Sequence, residues 1–469
     1  MSTTKTYAEF CASLAYDDLP DDVVEHAKRL VLDTVGIAVG SGNRAASSES
    51  FVDGIGELDG GGDGATILAT GGSASPAYAA FLNGAMAHSL DYDDTHRAAS
   101  LHPGAPVVPA ALAAAEKSDA SGKEFLAGVV AGYEIVCRLG MAVNPASHYG
   151  RGFHMTGTCG TFGATAAAGV VSGWEARTFE AAFGLNGSQA AGSLQFLENG
   201  GWNKRAHPGW AAHAALVGGA LAEAGFFAAS NPIDGDRGFL RGYSDDPDPE
   251  KATEGLGDDY ELLKVGVKPY PCCRYMHAPM DLLFDVAASE GVDPADVESV
   301  RVRIATPGVE LVGHPANAYP ESFVDAQFSM PFGAALVLGR GDAGVDAFLD
   351  AVEGGVPDDL RELIDRTAVE SAAWIDEAYP EKWASDVVVE TDDGTYEAAA
   401  EYARGEPENP LSRDELVAKF DELAEPVLGD AATVDARERL ASLESIDVAD
   451  LIEPFARDRA AANAPAAGD

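Results

Sequence analysis

Between Gly157 and Val171 the chain carries no charged side chain, and small residues (Gly160, Gly163, Ala164, Ala167, Ala168) recur through it. A helix of that composition has no face reserved for water. Its small residues let neighbouring helices approach closely, so it must be packed on all sides. The same alanine-, leucine- and valine-rich character predicts helices over Asp21 to Val39, Pro76 to Leu90, Ala110 to Lys117, Gly122 to Val143 and Gly209 to Phe227. The glycine-rich stretch Gly54 to Ser75 reads as a loop with one short strand at Thr66 to Leu68.

After about Lys268 the pattern changes. Val300, Val302 and Ile304 alternate with Arg301 and Arg303, which predicts a half-buried strand over Ser299 to Ala305. Val387 to Thr391 and Thr395 to Ala400, joined through Asp392, Asp393 and Gly394, predict a β-hairpin. Helices are expected at His277 to Ser289, Phe328 to Leu338 and Asp358 to Thr367, and again from Ser412, where Ser412 and Glu415 form a capping box. The fold class expected is mainly α. A large all-helical domain would be built from 1–268 and 405–469, with a smaller α+β lid domain at 269–404 and a ligand cleft between them. The tail from Ala460 is expected to fray.

The 76 acidic residues outnumber the 31 basic ones, for a formal net charge of −45. Such a field repels phosphate backbones, and no local basic stripe offsets it, so nucleic acid is excluded as a partner. The acidity is spread along the chain while the hydrophobic fraction stays at 46%. That describes a folded protein with a strongly hydrated surface, suited to high salt. No run of about 18 to 20 consecutive apolar residues stands out, so no membrane span is expected. Met1 to Phe10 lacks a basic patch followed by an apolar core, which makes the expected location cytoplasmic. Cys11, Cys137, Cys159, Cys272 and Cys273 form no C-x-x-C pair and read as reduced, buried thiols. Phosphate-loop, dinucleotide and G-x-S-x-G motifs are absent from the sequence.

Only ten of the basic residues are lysines, and eight of the ten histidines fall between His88 and His277. Four segments concentrate them. Asp91-Tyr-Asp93-Asp94-Thr95-His96 continues to Leu101-His102-Pro103. It can be read as a divalent-cation site, as capping aspartates on a solvated turn, or as a general acid or base at His102 with Asp91 fixing a tautomer. Arg151-Gly-Phe-His154 precedes a helix start near Thr158 or Thr161, where an anion would be favoured. Its histidine is either structural or catalytic. Lys204, Arg205 and His207 gather on the Gly200 to Gly209 loop, and charge-assisted hydrogen bonds to carboxylates are preferred there over pairing with surface acids. Lys268, Arg274 and His277 flank a proline-rich approach to a helix, either as a linker or as groups projecting into the cleft.

At these segments the chain resembles the MmgE/PrpD family, which includes 2-methylcitrate dehydratase, cis-aconitate decarboxylase and iminodisuccinate epimerase. The resemblance runs over nearly the whole chain. It is most specific at Asn83 to Pro103, Gly152-Phe153-His154, the Lys204 segment, Lys268 to His277 and Ala326-Gln-Phe-Ser-Met-Pro331. It implies a homodimer without metal or organic cofactor. It also implies a decarboxylase-type site at Asp91, Thr95, His102, His154, Lys204 and Lys268, with His277 close by, and it tips the first segment away from metal. Arg205, His207 and Arg274 stand beside that set as substrate-binding candidates. Phe332 departs from the tyrosine many relatives carry after the Phe-Ser-Met-Pro run, while the Lys204 to Gly209 segment resembles the epimerase and decarboxylase branches.

The shared chemistry is proton removal next to a carboxylate, whose enolate-like charge needs nearby cations. Expected is a cofactor-independent lyase, dehydratase-like, acting on a small hydroxylated di- or tricarboxylate. A decarboxylase or an epimerase is the alternative within the family, and a metal-dependent hydrolase using Asp91 to His102 is the alternative outside it. The charge generates its own expectation. Removing salt unscreens acidic self-repulsion, so the thermal midpoint should fall from molar to millimolar salt; an unchanged midpoint rejects it.

Overall fold

The computed structural model describes residues 2–59 and 64–456, so the expected frayed tail lies outside the described residues. The chain is mainly α-helical and divides into two compact units. The first comprises Met1–Ser89, Asp93–Val265 and Ser412–Asp469; the second comprises Leu90–Tyr92 and Gly266–Leu411.

In the first unit, the uncharged helix Gly160–Val171 is buried along nearly its whole length, as its composition requires. It packs against Gly122–Val143, where a Cβ on Gly163 would stand 2.8 Å from the carbonyl of Gly132. Helix Gly122–Val143 opens on a Ser121–Glu124 capping box. Its length and mean composition would suffice to cross a membrane, although Glu134 and Arg138 interrupt any run of consecutive apolar residues. Even so, 94% of its apolar window is buried inside the unit. The two charges in its middle are matched there: Arg138 binds Glu134 at 3.0 Å and also donates to the carbonyls of Glu254, Gly255 and Asp259. Asp21–Arg44 packs against the late helix Arg413–Leu428, where Gly36 and Gly40 make room for Phe420 and Leu423 and Asp33 meets Lys419 at 2.6 Å.

Three expectations change. Ser47–Asp59 is helical where a loop was expected from Gly54 onward. Gly54 and Gly56 face open space, and Ile55 is buried on the opposite side, so the glycines mark a solvent face rather than a break. The short strand is Ala65–Thr66, paired with Ser73–Ala74. Finally, the expected Gly209 to Phe227 helix begins at Asn203, with Pro208 inside it. As the sixth residue of the helix, Pro208 has no N–H for the carbonyl of Lys204, so the second turn forgoes one backbone hydrogen bond.

The second unit contains a four-stranded sheet ordered Thr367–Glu370, Val297–Arg303, Ser385–Thr391, Gly394–Ala400. The first pairing is parallel and the others antiparallel. Val300 faces Val389 and Val302 faces Val387, and all four are buried, so the alternation read from the sequence sets the sheet's inner face. Thr391 pairs with Gly394 across a two-residue turn. Helices His277–Glu290, Met330–Arg340 and Asp358–Asp365 supply the rest of this core. Phe332, lacking the hydroxyl of a tyrosine, is fully buried in it against Phe348.

Close helix approach makes some glycines irreplaceable. A Cβ on Gly209 would lie 2.5 Å from the carbonyl oxygen of Phe81 on helix Pro76–Ala87. Gly209→Ala should therefore destabilise by about 1–3 kcal/mol through overpacking. Gly54→Ala, in open space, should stabilise by about 0.4–1 kcal/mol. Denaturant midpoints at fixed molar salt measure both, and equal effects at the two sites would reject the account.

Candidate active site

Helix Pro76–Ala87 ends on a purely apolar face, and His88 follows it as C-cap. Its Nδ1 lies 2.7 Å from Asp93 Oδ2, with both side chains fully buried. Asp94, next in the chain, points the other way. It accepts from Tyr133 Oη at 2.6 Å and from the Gly104 amide at 2.9 Å. Burial drives the Asp94 carboxyl up to about 8, against the hydrogen bond from Tyr133, and the neighbouring Asp93 adds to the rise. At neutral pH Asp94 is therefore mostly a neutral acid. Gly104 is required at its position, because a Cβ would stand 2.6 Å from both Thr34 Oγ1 and Tyr133 Oη.

With the side chain of Asp94 tied down, its backbone carbonyl takes a hydrogen bond from His102 Nδ1 at 2.9 Å. His102 Nδ1 also lies 3.4 Å from Asp93 Oδ2, and the His102 amide donates to Thr156 Oγ1. The turn between them closes through His96 and Leu101, whose backbones pair. His96 itself accepts from the Ala99 amide at Nδ1 and meets Glu261 at Nε2, 3.0 Å away. Thr95 begins a two-residue strand, Thr95–His96, and is half-buried.

His154 caps the short helix Met155–Thr158 and is buried. Its Nδ1 lies 3.0 Å from Nδ1 of His207, so one imidazole donates and the other accepts. Lys204 and His207 sit three residues apart in the first turns of helix Asn203–Glu223 and share a face. They were expected on a loop; Pro208 and the surrounding glycines disguised the helix start. Burial holds His154 well below the usual histidine range, and the charges of His88, His207, Lys204 and His102 lower it further. His207 is pushed down to about 4 by burial, then by His88 and Lys204. Both are therefore neutral bases at neutral pH. Arg205 turns aside and donates to Ser47 Oγ at 3.1 Å.

The sequence candidates thus fall into two groups. The first unit brings together His102, His154, His207 and Lys204, joined by His88, which the sequence reading had not singled out. The second unit holds Lys268 and Asp91. Lys268 Nζ donates to the Asp91 carbonyl at 2.7 Å, to Asp91 Oδ1 at 3.2 Å and to the Cys272 carbonyl at 3.2 Å. Asp91 adopts a positive φ of 50°, a conformation Asp tolerates better than most residues. His277 Nε2 donates to the same Cys272 carbonyl at 3.1 Å, and burial, then the Lys268 charge, hold it well below its usual range. Arg274 is ion-paired with Glu406 and stacks over Trp383 at 4.7 Å, so its charge is met within the unit.

The residues of the cation reading, Asp91, Asp93, Asp94, His96 and His102, go to different partners. Asp91 goes to Lys268, Asp94 to Tyr133 and Gly104, and His96 to Glu261. Among the described residues, the donor set compact enough to meet around one cation is His88, Asp93 and His102, with ligand atoms within 4.8 Å of one another. In that set the Nδ1 atoms of both histidines are already engaged, by Asp93 and by the Asp94 carbonyl. His88 could have been found in the sequence from its place five residues before Asp93, at the end of an otherwise apolar helix.

The MmgE/PrpD N-terminal domain profile matches residues 5–252, and the MmgE/PrpD C-terminal domain profile matches residues 270–443. A cis-aconitate decarboxylase of Aspergillus terreus is 28% identical over 352 residues, covering 71% of each chain. A cis-aconitate decarboxylase-like protein of Aspergillus oryzae is 29% identical over 475 residues, covering 95% of this chain and 96% of its own. Human cis-aconitate decarboxylase is 26% identical over 433 residues, covering 89% and 87%. The chain belongs to the MmgE/PrpD family.

Proposed function

We propose that this protein is a lyase acting on a small di- or tricarboxylate, with proton transfer carried by His102 and His154. The observation that carries the reading is the cluster of imidazoles beside Lys204, with His154 and His207 held neutral by burial and by their neighbours. A neutral, buried histidine has a lone pair available for a C–H proton, and the cation beside it stabilises the negative charge that proton removal creates. Lys204 would hold a substrate carboxylate.

Two reactions fit this chemistry. In dehydration, one imidazole takes the proton next to a carboxylate and another gives a proton to the departing hydroxyl. In decarboxylation, carbon dioxide leaves and the electron pair left on carbon takes a proton from a histidine. The relatives named above favour decarboxylation of an unsaturated tricarboxylate such as cis-aconitate, with dehydration of a hydroxylated tricarboxylate as the second reading. We also infer a pair of identical subunits. Trp210 and Leu221, eleven residues apart and therefore on one face of helix Asn203–Glu223, are exposed, as are Phe226 and Phe227 just beyond its end.

Two measurements test these statements. Purified protein at molar salt, offered cis-aconitate and citrate-type hydroxy acids, should release carbon dioxide or water from one of them. His102→Ala or His154→Ala should lower kcat/KM by about 10²- to 10⁴-fold, and Lys204→Ala should raise KM as well. Because His154 is held below its usual range, kcat/KM should stay flat as pH falls through 6.5 and decline only lower. Full activity in both histidine variants would sink the reading, as would a wild type inert to every polycarboxylate. For the subunit pair, sedimentation equilibrium should give twice the chain mass, and Phe226→Asp with Phe227→Asp should weaken it; a wild-type monomer rejects the pair.

A further inference from the structure

We propose that His88, held by Asp93, is a positioning residue for proton transfer at His102 and His154. The inference rests on the functional reading above and adds to it a residue outside the set that the family resemblance supplies.

A carboxylate only accepts, so the 2.7 Å contact to Asp93 Oδ2 places the His88 proton on Nδ1 and the lone pair on Nε2. His88 Nε2 is buried and has no hydrogen-bond partner among the described residues. A buried polar atom left in that state calls for a reason, because burial strips its water and returns nothing. The ring's neighbours supply one. It lies stacked on His154, with centroids 5.7 Å apart and planes at 24°, and meets His102 edge-on at 4.8 Å and 65°. His88 is thus the wedge between the two imidazoles that carry the protons.

Asp93 couples the same groups electrostatically. Its Oδ2 bonds His88 and also stands 3.4 Å from His102 Nδ1, whose own proton is directed at the Asp94 carbonyl. While His88 engages that oxygen, the carboxylate is shared. Remove the imidazole donor and the carboxylate is left to His102 alone, which then binds its proton more tightly. The groups facing His154 are His88, His102, His207 and Lys204, and the Asp93 carboxylate fixes His88 among them at 2.7 Å. His88 also opposes proton binding at both His154 and His207.

His88→Phe keeps an aromatic wedge and deletes both nitrogens; Asp93→Asn keeps the volume and deletes the carboxylate. Each should lower kcat by about 10²-fold with KM changed only a few-fold, and the double variant should be no worse than the more damaged single. In His88→Phe the acid limb of kcat/KM should move to higher pH, which loss of packing alone would not produce. Wild-type kcat and an unmoved acid limb in that variant would overturn the proposal. So would zinc bound stoichiometrically by the wild type and lost from the variant, which would make His88 a ligand instead. Imidazole nitrogen NMR of the wild type gives a reading independent of turnover: His88 and His102 should both show the Nδ1–H tautomer. Should the protein process no polycarboxylate, the functional reading fails while this spectrum still judges the dyad; an Nε2–H tautomer at His88 refutes it outright.

Discussion

The histidine cluster depends on one buried acid that is not itself placed to react. Asp94 is sunk between Tyr133 and the amide of Gly104, at a point where a Cβ on residue 104 would collide with three polar groups. Burial makes its neutral form the stable one near pH 7. A neutral carboxyl in such a place costs far less than a charge would, and it still offers hydrogen bonds to both neighbours. Because the side chain is anchored, the Asp94 carbonyl is fixed as the acceptor for His102, and Asp93 is turned towards His88. Adjacent aspartates thus separate into an anchor and a counter-charge, a division made by environment rather than by residue type.

That anchor relies in turn on close helix packing. Gly104 begins helix Gly104–Ser118, and Tyr133 lies on Gly122–Val143, whose neighbour Gly160–Val171 is made of small residues. Large side chains on these helices would push Tyr133 away from Asp94 and release the loop. Helix Pro76–Ala87 is pinned by the same means, through the backbone of Phe81 against Gly209, so His88 and His207 leave from two helices that cannot slide apart. Small residues in this protein are therefore a device for holding polar groups at fixed separations.

How much of this the sequence disclosed varied with the kind of signal. Periodicity disclosed the regular elements: helix Gly122–Val143 matches its expected range, and the alternation around Val300 and Val302 is the buried face of a real sheet. Local composition misled where glycine and proline had roles other than breaking structure. Gly54 and Gly56 lie on the open face of a helix, and Pro208 sits inside one. Rarity was a good guide to chemistry, since His102, His154, His207 and Lys204 do gather in one unit. It could not separate the roles of Asp93 and Asp94, because those depend on which groups meet in space, not on spacing along the chain. Arg274 shows the opposite limit: a scarce cation in a suggestive segment whose charge Glu406 already meets.

The low proton affinity of His154 is itself a measure of what the cluster favours. Burial is the largest cause, and the Lys204 charge adds to it with little water to screen it. Burial disfavours charge of either sign, whereas the Lys204 part of the effect favours an anion. A carboxylate arriving beside Lys204 would cancel part of the field, and the proton affinity of His154 would climb back towards the range where transfer to and from carbon is efficient near neutral pH. By linkage, anything that raises proton binding when the anion binds must strengthen anion binding when the proton is present. An imidazole too weakly basic in the empty protein would then become competent when its substrate is in place, so the cluster would be tuned by the charge of the molecule on which it acts.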